Sequence, residues 1–229
     1  MNLLIVLFLL IVVPHHALAQ SLQPLPLTDQ PRWNAVGRVN TGGFSSRGTC
    51  TGSLIAPDLV LTAAHCVAGQ DGLPVNAARM TFVAGWLGGD YAASSKVARF
   101  EVHPEAYRMP RLDIEHDMAV LTLETSLDIP SLPITARETA PYAIVGYQNI
   151  HPNRLRARFD CAGKRQHRLL RLNCPVVNGN SGSPALVREG DGWAIIGVVV
   201  AQSGGDALVV PVDEWLRGRL VRGAPYPRE

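Results

Sequence analysis

Short apolar runs, each broken by Gly, Pro, Asn or Asp, fill this sequence from Ala35 to Val212, and they leave almost no room for helices. GSLIAPDLVLTAA, MTFVAGW, KVARFEVHP, DMAVLTLE, YAIVGYQ, GWAIIGVVVAQ and ALVVPV are of strand length, rich in β-branched residues and bounded by turn formers. RLRARFDC alternates Arg with Leu, Ala and Phe, as a strand with one wetted face does. GWLGGD (85–90) reads as a hairpin turn, and no Lys-Ser/Thr pair follows it to make a phosphate loop. A helical period is clear only in VDEWLRGRL (212–220), which predicts an amphipathic terminal helix. Many short strands at regular spacing predict an all-β sandwich or barrel. The stretch 125–141 carries three prolines and no strong apolar period, so a seam is expected there between two β-rich halves. The domains expected are 35–130 and 131–229.

Hydrophobic residues make up 47% of the 229 and charged residues 17%, enough for a packed core. A net charge of +2 gives no reason to expect nucleic acid as partner. The basic stretch 154–171 holds seven Lys/Arg against one Asp, but it lacks interleaved aromatics for base stacking and reads as a solvated strand face. The first residues are different in kind. Leu3–Val13 is apolar, Pro14 follows, and Ala17-Leu18-Ala19 has the small-x-small form of a signal-peptidase site. No Lys or Arg precedes the run, and it is short for a bilayer span. A signal peptide over 1–19 is expected, with export to the periplasm or medium and no stable membrane insertion. Residues 20–34, rich in Pro, Gln and Leu, look like an extended leader or pro-segment. Cys50, Cys66, Cys161 and Cys174 then suggest two disulfides. Three pairings are possible. The sequence-local one, Cys50–Cys66 and Cys161–Cys174, is preferred, each loop adding about 3 kcal/mol in the chain-entropy model. No C-x-x-C spacing supports a zinc site, and no metal or cofactor is expected.

GNSGSP (179–184) sets one serine among glycines, Asn and Pro. Ser181 is there either as a turn residue or as a nucleophile. A serine hydroxyl needs a base to take its proton, an acceptor to hold that base in the right tautomer, and fixed donors for the oxyanion. Of the histidines after residue 19, His65 ends an apolar strand, follows two small alanines and adjoins a cysteine. His103 and His151 precede prolines, and His116 and His167 sit among charges. Asp117 opens the apolar run of IEHDMAVLTL, with Asp113 as its competitor for the acceptor.

TAAHC (62–66), DMAVL (117–121) and GNSGSP (179–184) resemble, in that order, the three signatures of the chymotrypsin-like serine proteases. CTGSLIAPDLVLTAAHCV (50–67) and VVPVDEWL extend the resemblance over about residues 35–220. The resemblance implies two antiparallel six-stranded β-barrels with a C-terminal α-helix. It implies Ser181 as nucleophile, His65 as general base and then acid, and Asp117 as orienter of His65. The N–H groups of Gly179 and Ser181 would form the oxyanion hole. It implies an exported endopeptidase acting on peptide or protein substrates, and a monomer is expected. The rivals are an esterase using the same three residues and an inactive binding protein on the same fold. An appended PDZ domain, carried by some relatives, is not expected after Glu229.

The sequence departs from the digestive members of that family at Asn180. They carry an aspartate there that pairs with an ammonium made by proteolytic activation; a neutral residue predicts that this switch is absent. GNSGSP is closer to the bacterial branch that includes glutamyl endopeptidases. By resemblance the substrate pocket is walled by Pro175–Val177 and Val198–Gln202, with Val176, Val199, Val200 and Ala201 as its substrate-binding residues. Neither stretch holds a carboxylate for a basic side chain, and Val199 stands where glutamyl endopeptidases carry histidine. Small or medium apolar side chains are therefore the expected preference, at about 0.8 kcal/mol per buried methylene.

Overall fold

A computed structural model describes residues 21–42, 49–69, 72–108 and 111–223; the expected signal segment lies outside them. The chain opens with a two-residue strand, β1 (Gln23–Pro24), followed by β2 (Val36–Thr41), β3 (Thr49–Ala56), β4 (Leu59–Thr62), β5 (Met80–Ala84) and β6 (Ala93–Val102). A small hairpin, β7 (Tyr107–Arg108) and β8 (Arg111–Leu112), precedes β9 (Ala119–Leu123). Strands β2–β6 and β9 close into a barrel in the order β2-β3-β4-β9-β6-β5. Its interior is filled by Val39, Leu54, Val60, Phe82, Val97 and Leu121, all nearly or fully buried. The GWLGGD stretch forms the turn between β5 and β6, with Gly88 and Gly89 at positive φ.

The proline-rich stretch 125–141 carries only an isolated bridge at Ile134 and crosses to the second half. Its Leu132 N–H donates to Leu54 O (2.9 Å) and its Thr135 N–H to Ile195 O (2.8 Å), so it is bonded to both halves. The second half holds β10 (Tyr142–Gln148), β11 (His151–Cys161), β12 (Gly163–Gln166), β13 (Leu169–Leu172), β14 (Pro184–Glu189), β15 (Gly192–Ser203) and β16 (Asp206–Pro211). These run β1-β11-β10-β14-β15-β16-β13-β12 in one curled sheet whose end strands do not pair with each other. The six strands β10, β11 and β13–β16 make the curved wall that the resemblance implies. Two short strands, β1 and β12, extend its edges and leave it a half-barrel rather than a hydrogen-bonded closure. A C-terminal helix, α1 (Glu214–Gly223), packs its Leu216 and Trp215 on the core shared by the two halves.

Residues 21–34 are packed rather than extended into solvent. β1 pairs with β11 through Gln23↔Ala157 and Pro24↔Arg156. Leu22 is fully buried in the apolar interior of the second half, beside Cys161, Cys174, Val176 and Val199. Trp33 lies 5.7 Å from Phe159 and 6.3 Å from Trp193, ring centre to ring centre. The compositional signal of this segment, Pro and Gln among leucines, does not reveal that its leucines have a sheet to cover.

Both expected disulfides form. Cys50–Cys66 spans 6.0 Å between Cα atoms and Cys161–Cys174 spans 5.6 Å. Three of the seven cations in 154–171 have acidic partners: Arg158 pairs with Asp160 (2.7 Å), Arg171 with Asp206 (2.6 Å), and Arg165 with Glu138.

Candidate active site

Antiparallel pairing of β4 with β9 places Thr62 opposite Ala119, so the end of one strand lies beside the start of the other. His65 follows the first within a 3-10 turn, Ala64–Val67, and Asp117 precedes the second. The Cys50–Cys66 bridge ties the turn carrying His65 back to β3. Two residues 52 apart in sequence thereby meet. His65 Nδ1 lies 2.6 Å from Asp117 Oδ2, and the His65 backbone N–H donates to Asp117 Oδ1 (2.9 Å). Both carboxylate oxygens thus fix one residue, its ring and its backbone. Asp117 is 1% exposed while the His65 side chain is 32% exposed, so the acceptor is dry and the ring reaches the surface. With Nδ1 taken by the carboxylate, Nε2 is the ring nitrogen left for a substrate-side proton.

Tyr107 donates its hydroxyl to Ala64 O (3.2 Å), bracing the turn from the other side. Burial, and then the nearby Asp117 charge, push its phenol up to about 12, so it stays a neutral donor. Asp113, the competing acceptor, instead caps the short turn Ile114–His116 by accepting from Glu115 N–H (3.0 Å). His103 and His116 form a separate buried pair, stacked at 4.9 Å, with His103 Nε2 3.1 Å from Asp213.

Ser181 sits in the turn before β14, and it lines a cavity of about 260 Å³ together with His65, Thr49, Asn149, Asn178 and Gly179. The backbone of this turn is accounted for almost completely. Asn178 O accepts from Asn149 N–H (2.8 Å), and Asn180 O accepts from Ser183 N–H (2.9 Å). Gly179 O accepts from the Thr51 hydroxyl (2.8 Å), and Ser181 O accepts from Thr51 N–H (2.8 Å). Asn180 N–H donates to Val177 O (3.0 Å) and Gly182 N–H to Val199 O (2.7 Å). Among the described residues, the N–H groups of Gly179 and Ser181 alone in residues 179–182 have no acceptor. Across a trans peptide the C=O and N–H point opposite ways. Holding the Asn178 and Asn180 carbonyls on the protein side therefore turns both free N–H groups outward, where water or a bound acceptor can satisfy them.

The glycines make that path possible. Gly179 has φ +101°, and a Cβ on it would lie 2.6 Å from Asn149 N; Gly182 has φ +81°, and its Cβ would collide with Thr51 O. Asn180 is fully buried and bonded through both ends of its amide. Its Oδ1 accepts from Val177 N–H (3.0 Å) and Gln148 Nε2 (3.3 Å), and its Nδ2 donates to Tyr147 O (2.9 Å). No charge is needed to hold it.

The four candidate pocket residues part company. Val176 and Val199 share the apolar interior of the second half with Leu22, Ala207 and Val209. Val200 and Ala201 face the core between the two halves instead. The cause is a bulge: β15 pairs Val199↔Val209 and then Ala201↔Leu208, leaving Val200 extra and turning two successive side chains to one side. Strict alternation along GVVVAQ gives no hint of it. Thr51 and Asn149, which organise the turn, also carry no sequence signal of their role, since their partners lie 128 and 29 residues away. As for metals, Cys50, Cys66 and His65 bring ligand atoms within 4.8 Å of one another, but both sulfurs are spent in the disulfide and offer no thiolate.

A family model described as a trypsin-like peptidase domain matches residues 50–198. A curated protein named "Trypsin" from Saccharopolyspora erythraea is 32% identical over 94 residues, 41% of this chain and 39% of that protein. The match thus spans well under half of that relative. Among solved structures, a Glu endopeptidase in complex with MPD superposes with a TM-score of 0.71 at 19% identity, covering 89% of this chain and 96% of that one. The thermostable serine protease AL20 from an extremophilic microorganism superposes with a TM-score of 0.64, also at 19% identity, covering 79% and 92%. At such identity the likeness is one of fold, and the fold is chymotrypsin-like.

Proposed function

The chain belongs to the trypsin-like peptidase domain family, and from that premise we propose that it is an exported serine endopeptidase working through an acyl-enzyme. Ser181 Oγ attacks the scissile carbonyl while His65 Nε2 takes its proton. Asp117 keeps the other proton on Nδ1 and stabilises the imidazolium that forms. The carbonyl oxygen, now an oxyanion, accepts from the N–H groups of Gly179 and Ser181. His65 then returns the proton to the leaving amine, and water repeats the sequence to free Ser181. No cofactor enters any step. The observation that carries this reading is the backbone account of residues 179–182, in which the N–H groups of Gly179 and Ser181 are left open beside a histidine–aspartate pair.

Asn180, satisfied by Val177, Gln148 and Tyr147, supports a site assembled without an activating ammonium. Among the described residues Asp117 is the one buried carboxylate. A basic substrate side chain meets no carboxylate in the expected wall stretches 175–177 and 198–202, which supports a preference for small or medium apolar side chains. The two disulfides fit an oxidising compartment, in keeping with a signal peptide over 1–19. The division into 35–130 and 131–229 is kept for the two β units, with residues 21–34 riding on the second.

The test is covalent labelling by a fluorophosphonate. The purified protein should label at Ser181 and the Ser181→Ala variant should not. Absence of labelling in both, before and after limited proteolysis, removes the enzyme reading in favour of a binding protein. Turnover of peptides extending beyond the cleaved bond separates a peptidase from an esterase, and a cleavage profile dominated by acidic or basic residues refutes the apolar pocket.

A further inference from the structure

We propose that the hydroxyl of Thr51, on the first barrel, is a positioning group that holds the oxyanion-binding turn of the second half in its working conformation. The inference rests on the catalytic reading of Ser181 above.

Thr51 is fully buried on β3 and makes three hydrogen bonds to the second half, two of them to the turn. Its hydroxyl donates to Gly179 O (2.8 Å) and at the same time accepts from Tyr147 N–H (3.0 Å), which uses the donor and an acceptor site of one hydroxyl. Its backbone N–H donates to Ser181 O (2.8 Å). The carbonyls of Gly179 and Ser181 are thereby tied to the opposite barrel. Thr51 is itself held: the Thr62 hydroxyl donates to Thr51 O (2.8 Å), and Thr62 lies at the end of β4, three residues before His65. One strand pair thus links the base and the oxyanion turn.

The backbone bond would survive any side-chain change, because every residue but proline carries that N–H. The hydroxyl bond would not. Without it Gly179 O and Tyr147 N–H are buried and unpaired, and the 179–180 peptide gains a reason to rotate toward another donor. Rotation there moves the neighbouring Gly179 N–H, one of the two open donors. Glycine at that position offers no side-chain resistance. The ammonium-based latch for which Asn180 is unsuited is, on this account, replaced by a neutral inter-barrel hydrogen bond.

Thr51→Val keeps the shape and removes the hydroxyl; Thr51→Ser keeps the hydroxyl and removes a methyl. Thr51→Val should lower kcat on the order of 10- to 10²-fold with KM within about threefold, since a displaced donor is felt in the transition state. Thr51→Ser should stay within about threefold of the parent in both. Equal impairment of the two variants, a loss confined to KM, or a kcat within twofold of the parent for Thr51→Val would each overturn the proposal. If Thr51→Val does not fold, Thr51→Ala takes its place: Thr51→Ser as impaired as Thr51→Ala overturns the proposal, and Thr51→Ser near the parent with Thr51→Ala impaired supports it. Amide hydrogen exchange over 176–184 is the arm independent of catalysis. Faster exchange in Thr51→Val than in Thr51→Ser supports the anchor, and equal exchange refutes it. An unlabelled parent protein in the fluorophosphonate test would remove the catalytic reading alone, leaving the exchange result to decide the anchor.

Discussion

Leu22→Ala is the substitution whose cost follows most directly from the packing of the N-terminal segment. Leu22 is fully buried among Cys161, Cys174, Val176 and Val199. Its carbonyl accepts from Arg156 Nε (2.9 Å), and Leu25 N–H donates to Leu155 O (3.0 Å) on the same strand. The change removes three buried carbons, about 2.4 kcal/mol at about 0.8 kcal/mol each. The surrounding disulfide and strands relax little, so a cavity contribution brings the total to about 3–4 kcal/mol, within the range of about 2–5 for such sites. Urea unfolding, in a Ser181→Ala background to prevent self-digestion, should give that loss in the extrapolated free energy with an unchanged m-value. At about 2–4 °C per kcal/mol for a chain of this size, Tm should fall by about 6–16 °C. A loss below about 1 kcal/mol would refute the packing. So would a fully active mature protein whose first residue lies beyond Leu25, since the second half would then stand without β1.

Asp117→Asn should lower kcat on the order of 10⁴-fold with KM nearly unchanged, because an amide beside His65 Nδ1 favours the wrong tautomer; steady-state kinetics near neutral pH check it, and a loss under tenfold would count against the assignment. Burial, outweighing the attraction of Asp213 and Glu105 and joined by the repulsion of the His116 ring, holds the His103 imidazole below its ordinary value of 6.5. The folded state then binds fewer protons than the unfolded one, so this contribution to stability is present above pH 6.5 and is lost as pH falls from there toward the lower folded value. His103→Gln should therefore flatten the rise of unfolding free energy between about pH 5 and 7, and an unchanged slope would show that His103 does not titrate there.

Much of the architecture was legible in the chain because it is written locally. Alternation and turn residues mark β3–β6, β9–β11, β15 and β16, and the terminal helical period marks α1, since side-chain direction repeats every second or every 3.6 residues whatever the rest of the molecule does. Cysteines 16 and 13 residues apart pair with their sequence neighbours. The residue types for nucleophile, base and acceptor stand in recognisable surroundings at 62–66, 117–121 and 179–184. What only the tertiary structure decided is who meets whom. β4 lying against β9 brings Asp117 to both the ring and the backbone of His65. A bulge at Val200 turns Ala201 to the same core as Val200, away from Val199. Leu22 finds a sheet to cover, and Thr51 finds a carbonyl 128 residues away. Register, bulges and long-range hydrogen bonds depend on how separate strands are brought together, and no local period along a single strand encodes the partner it will face.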